Sequence, residues 1–141
     1  MFSKIMIPLD GSENSQKALD YGIQIAKMTG ASILLLSVVD NRNFYVGDGA
    51  WPANFIASVK SAAKHLLDDA KNKVDDAGIE VSTSIIEGNP KVIISEIVPE
   101  TDDVDLIVMG KSGTGAIDRI ITGSTTEYVV RTTKVQVLVV Q

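Results

Sequence analysis

The strongest constraint in this sequence is a rhythm. Short apolar runs, Ile5 to Leu9, Ala31 to Val39, Ile79 to Ile86, Val104 to Met109 and Val135 to Val140, alternate with stretches of helical spacing. Three of the runs are nearly continuous, which marks strands covered on both faces. The third alternates, Ile79-Glu80-Val81-Ser82-Thr83-Ser84, and is expected at a sheet edge. Between the runs, Ser12 is placed to cap a helix whose stripe is Ala18, Tyr21/Gly22, Ile25 and Met28/Thr29, stopped by Gly30. A longer stripe of Phe55, Val59, Ala62/Ala63, Leu66, Ala70, Val74 and Ala77 ends before Gly78. Asn89-Pro90 opens a third helix carrying Ile93 and Ile97, and Ser124 is placed to cap a fourth running to about Thr133. Strands alternating with helices imply right-handed crossovers. The expected fold is therefore a single three-layer α/β/α domain over residues 1–141, with a five-stranded, mostly parallel sheet.

Composition narrows the function. Thirteen Lys and Arg against 18 Asp and Glu give a net charge of −5, the wrong sign for a nucleic-acid groove or an anionic membrane surface. With no cysteine the chain has no disulfide, thiolate metal site or Cys nucleophile. No window approaches the 18 apolar residues of a membrane span, and the start of the chain lacks the apolar core of a secretory signal. The chain reads as cytoplasmic.

In open parallel sheets ligands sit beyond the carboxyl ends of the strands, where the strand order reverses. The residues in question are Asp10-Gly11-Ser12, Asp40 with the aperiodic segment to Trp51, Glu87-Gly88-Asn89, and Gly110 to Gly115. The last is the richest, since Gly110, Gly113, Gly115 and Gly123 fall within 14 of the 141 positions. Glycines there let backbone N–H groups approach an anion, and the helix opening at Ser124-Thr125-Thr126 aims unpaired N–H groups at the same place. Neither a Walker A loop nor the dinucleotide fingerprint fits: the first glycine of the former falls on Asp105, and the third of the latter on Asp118.

Gly110-x2-Gly113-x9-Gly123-Ser124, with Ile7-Pro8-Leu9-Asp10-Gly11-Ser12 and Val38-Val39-Asp40, resembles the universal stress protein family in its ATP-binding branch. The resemblance implies a Rossmann-like sheet of order 3-2-1-4-5. It implies that Pro8, Leu9 and Asp10 line the adenine and ribose end, with the Val38 backbone on the adenine edge. Met109, Gly110, Ser112 and Gly113 would bracket ribose and the first phosphates. Gly123, Ser124, Thr125 and Thr126 would hold the distal phosphates, with Mg²⁺ carried mainly by the nucleotide. It further implies a homodimer through the Val135–Val140 strand. The chain departs from the family pattern at Ser112, often His or Arg, and at Gln136, usually Pro.

Other residues admit two readings each. Asp10 either contacts ligand or caps its own turn, and Lys111 is either a phosphate partner or a solvated charge. Trp51 and Tyr45 either stack on a base or pack over the sheet. His65 reads as a helix-surface residue. Phosphoryl transfer needs a group to orient the nucleophile and charge beyond Mg²⁺, and only Lys111 and Arg119 offer themselves. The sequence thus leaves three readings: an ATP-binding stress-response regulatory module with little or no hydrolysis, a slow Mg-dependent ATP hydrolase or phosphoryl-transfer protein, and a nucleotide-free interaction dimer.

Overall fold

In the computed structural model, which describes residues 1–42, 44, 49, 51–111 and 124–141, the chain alternates strand and helix. The order is β1 (Lys4–Pro8), α1 (Glu13–Thr29), β2 (Ser32–Asp40), α2 (Ala53–Asp76) and β3 (Val81–Gly88). A helical stretch follows in three pieces, α3 (Pro90–Val92), a π turn (Ile93–Ile97) and α4 (Val98–Thr101). Then come β4 (Leu106–Gly110), α5 (Ser124–Thr132) and β5 (Gln136–Val140). The strands form one sheet in the order β3-β2-β1-β4-β5, and every neighbouring pair is parallel. This is the expected order, with the alternating strand β3 at one edge and β5 at the other.

The continuous apolar runs are explained by the two helical layers. Ile5 and Ile7 of β1, with Ile33 and Leu35 of β2, pack against Leu19 and Ile23 of α1 and Leu67 and Val74 of α2. The alternate residues Met6, Leu34 and Leu36 pack on the opposite face against Ile93, Ile94, Val98 and Val129. Side chains point to opposite faces in turn along a strand, so a central strand between two layers needs apolar residues at every position.

The expected stripes hold in part: Ala18 and Gly22 of α1 and Ala63, Ala70 and Val74 of α2 are buried. In α1 the buried face is Ala18, Leu19, Gly22, Ile23 and Ala26, while Tyr21 and Met28 are 54% and 84% exposed. Gly22 sets this orientation: a Cβ there would collide with Ile7, so the glycine lets α1 lie close on β1. In α2 the buried residue of the middle turn is Leu67, and Phe55 is exposed. The caps agree with the sequence: Ser12 accepts a hydrogen bond from the Ser15 N–H, and Gly30 (φ 76°) donates to the Ala26 carbonyl. At α5, Ser124 is itself helical.

The third helix does start at Asn89-Pro90, whose Asn89 side chain accepts from the Lys91 N–H. It then widens, with the Val98 N–H bonding the Ile93 carbonyl five residues back. Pro99 accounts for the irregularity, because proline offers no N–H and its ring crowds the preceding turn. The result is that Ile93 and Ile94 are buried together, then Val98 and Pro99, while Ile97 is exposed.

Candidate functional site

The site is built where β1 stops. The parallel register of β1 and β2 ends at Pro8↔Leu36, and the Leu9 N–H donates to the Leu36 carbonyl at 2.8 Å. β2 continues to Asp40, paired only with β3 on that stretch. Main-chain groups of alternate strand residues face alternate neighbours. The Ile33 N–H donates to the Glu80 carbonyl, toward the β3 side, and the Leu36 carbonyl accepts from Leu9, toward β1. Val38 shares the direction of Leu36, so its N–H and C=O face the space beyond the end of β1.

That space is a cleft of about 170 Å³ lined by Pro8, Leu9 and Asp10 after β1, Leu36 and Val38 of β2, and Met109 and Gly110 of β4. Ser12 and Ser15 of α1, Pro90 and Ile94 of the third helix and Thr125 of α5 complete it. It lies between β1 and β4, where the strand order reverses, the usual place for a ligand in such sheets. Its walls are mainly apolar, with a few hydroxyl and main-chain groups turned inward, the usual make-up of a small-molecule site. The volume is smaller than the 300 Å³ or so of a typical drug-sized pocket.

Of the residues expected from sequence, Pro8, Leu9, Asp10, Val38, Met109, Gly110 and Thr125 are brought together here. Ser112, Gly113 and Gly123 lie outside the described residues, as do Tyr45 and Arg119. Ser124 is exposed beside the cleft. Thr126 is buried behind it, its Oγ1 donating to the Gly110 carbonyl at 3.1 Å. This ties α5 to the end of β4.

Asp10 shows the turn role expected as an alternative: its Oδ1 accepts the Ser12 N–H at 2.9 Å while the residue also borders the cleft. Gly110 has a packing reason to be glycine. A Cβ there would sit 2.5 Å from the backbone of Asn14, so the first turn of α1 lies directly on the end of β4. The Asn14 side chain also donates to the Lys111 carbonyl at 2.7 Å, and the Lys111 N–H donates to Val140.

Ser12, expected near the ligand from its place after the first strand, lines the cleft, and the residues the sequence reading missed are Ser15, Leu36, Pro90 and Ile94. Leu36 is two residues before Val38 and so faces the same way. Ile94 lies one helical turn past Pro90. Ser15 is buried, and its Oγ donates to the Ser12 carbonyl at 2.9 Å.

Trp51 does not enter the cleft. It packs on Phe44 (ring centroids 4.9 Å apart) and edge-on to Phe55 (5.0 Å), in an adjoining depression toward α2 that shares Leu9, Asp10 and Val38 with the cleft. Phe44 is buried there against Val39 and Ala63. At the end of β2, Arg42 makes a two-pronged pair with Asp40, and its hydrogen bonds hold the Asp40 carboxyl below its ordinary range. His65 is exposed on α2, as expected.

Fold and cleft together define an α/β domain with its cleft at the switch point of a parallel sheet. The sequence profile of the universal stress protein family matches residues 1–141, and the chain belongs to that family. A Staphylococcus saprophyticus protein that carries the universal stress protein name is 33% identical over 141 residues, covering 99% of this chain and 84% of its own length. Among solved structures, hypothetical protein MJ0577 superposes with a TM-score of 0.88 at 31% identity, over 99% of this chain and 96% of that one. Two more distant structures share the fold. One is a universal stress protein in complex with cAMP (TM-score 0.75, 22% identity, 99% and 97% covered). The other is an Arabidopsis thaliana family member with AMP bound (0.72, 21%, 98% and 90%).

Proposed function

We propose that this protein is an adenine-nucleotide-binding regulatory module of the stress response, cytoplasmic, acting as a homodimer and turning its nucleotide over slowly or not at all. The observation that carries the reading is the Val38 backbone, aimed past the end of β1 into an apolar slot of base-like size. One N–H and one C=O side by side complement a donor–acceptor edge of adenine. Pro8, Leu9 and Met109 supply the apolar walls for the ring, and Asp10 stands where ribose hydroxyls need an acceptor. Phosphates then lead outward past Gly110 along Ser112 and Gly113 to Gly123, Ser124, Thr125 and Thr126. There the N-terminal N–H groups of the nine-residue helix α5 favour an anion. Mg²⁺ is carried mainly by those phosphates, since it keeps most of its waters and takes few protein ligands. Relatives in complex with cAMP and with AMP support the ligand class.

Thermal unfolding with ATP and Mg²⁺ tests the reading. At a hundredfold excess over Kd a native-state ligand adds about 2.7 kcal/mol, a rise of about 8 °C for a domain of this size. No shift at millimolar ATP overturns it. Phosphate release followed over hours separates a module from a hydrolase.

The dimer rests on β5, the outer strand next to β4, where Leu138 is 37% exposed and Val130 of α5 is 50% exposed. An apolar strand edge left bare invites pairing, and a second copy covers it. Leu138→Lys yields a folded monomer in sedimentation if this strand is the interface, and a dimer of unchanged mass if it is not.

A further inference from the structure

Lys91 has no part in the cleft as described, yet it stands on its rim. It follows Pro90, which lines the cleft, and its N–H is fixed by the Asn89 Oδ1 at 3.1 Å. Its ammonium lies over the Tyr128 ring, 5.9 Å from the centroid. Tyr128 is three residues past Thr125 on α5, so the two share one helix face, and Thr125 lines the cleft. Lys91 therefore spans the gap between the third helix and α5, about one helical turn past Ser124.

Two further observations bear on its role. Among the described residues the ammonium has no carboxylate partner within 4 Å, whereas Lys17, Lys60, Lys64, Lys71 and Lys73 each have one. The perch on Tyr128 is a weak, partly hydrated contact that a flexible four-carbon stem leaves readily. A polyphosphate arriving at α5 would meet a protein of net charge −5, with Asp10 and Glu13 near the same end of the sheet. A mobile cation at that spot offsets both.

We infer that Lys91 is a phosphate-binding residue that moves from Tyr128 onto the distal phosphates and makes the site prefer ATP over AMP and adenosine. The inference rests on the nucleotide reading above and adds the selection by phosphate number.

The test is calorimetric titration of the full chain with ATP, ADP, AMP and adenosine in the presence of Mg²⁺, for the unaltered protein, Lys91→Gln and Lys91→Arg. Loss of one charge-assisted contact is expected to weaken ATP about tenfold in Lys91→Gln. Adenosine and AMP keep their affinity, Lys91→Arg restores most of the ATP affinity, and the salt dependence of ATP binding becomes shallower. Equal ATP affinity in Lys91→Gln overturns the inference while the nucleotide reading stands. A loss of the same size for adenosine overturns it too, because it assigns Lys91 a structural role. An unaltered protein that binds neither ATP nor adenosine removes the nucleotide reading and this inference together.

Discussion

The two helical layers covering the sheet are built to different standards of closure. On one side α1 and α2 lie flush on the strands: Ala18, Leu19 and Val74 are wholly buried, and Gly22 lets α1 approach β1 until a single methyl would collide. On the other side the covering helix is broken by a π turn and Pro99, and beside it the cleft runs in over Ile94. The same sheet is closely covered by two regular helices on one face, apart from the depression beside Trp51, and left accessible by an irregular helix on the other. Close packing and an open site compete for the same strand ends, and this protein gives one face to each.

Substitutions break or sharpen that contrast. Leu19→Ala, in the sealed layer, costs about 4 kcal/mol because the regular helix cannot collapse into the void. Gly110→Ala follows at about 3 kcal/mol, since its Cβ meets the Asn14 backbone, which cannot step aside as a side chain would. Ile94→Ala costs only about 2 kcal/mol, because part of the space it vacates joins the cleft and admits water. Denaturant unfolding of the three variants checks the order. If Ile94→Ala costs as much as Leu19→Ala, the second layer is as closed as the first and the contrast fails. Ser12→Ala removes the cap of α1 for about 1 kcal/mol.

The smallest effect is at Asp40, whose carboxyl is held below its ordinary range by Arg42. A lowered folded-state value contributes stability that is present above the ordinary carboxylate range and is lost as pH falls through the folded value. Asp40→Asn therefore leaves Tm near neutral pH almost unchanged, since the pair is exposed. It flattens the decline below about pH 4. A steeper decline in the variant would contradict the pairing.

Much of this fold was legible in the sequence, for physical reasons. β2 is an unbroken apolar run because both layers press on it, and Ser12 and Gly30 mark α1 because helix ends need those side chains. The buried faces of the helices were harder to read. In α1 apolar residues fall on both sides of the helix, Leu19 and Ile23 inside and Tyr21 and Met28 outside, so spacing alone does not fix which face is buried. The π turn was hidden because Pro99 falls near a helix end, where proline is unremarkable. At the site, Asp10 and Gly110 were legible from the strand ends, whereas Pro8, Leu9, Val38 and Met109 were indicated only by the family resemblance. Of those contributed by helices Thr125 was expected, but Ser15 reads as an ordinary first-turn residue and Ile94 as core.

Ser15 has one consequence beyond its own helix. A hydroxyl owns a single proton, and Ser15 has given its proton to the Ser12 carbonyl. What it has left to offer at the cleft is lone pairs alone. A guest reaching that point must bring its own hydrogen, as an amino group or a sugar hydroxyl does, and a bare phosphate oxygen is turned away. The direction of one proton thus sorts the two ends of an elongated guest, admitting the hydrogen-bearing end and leaving the charged end outside.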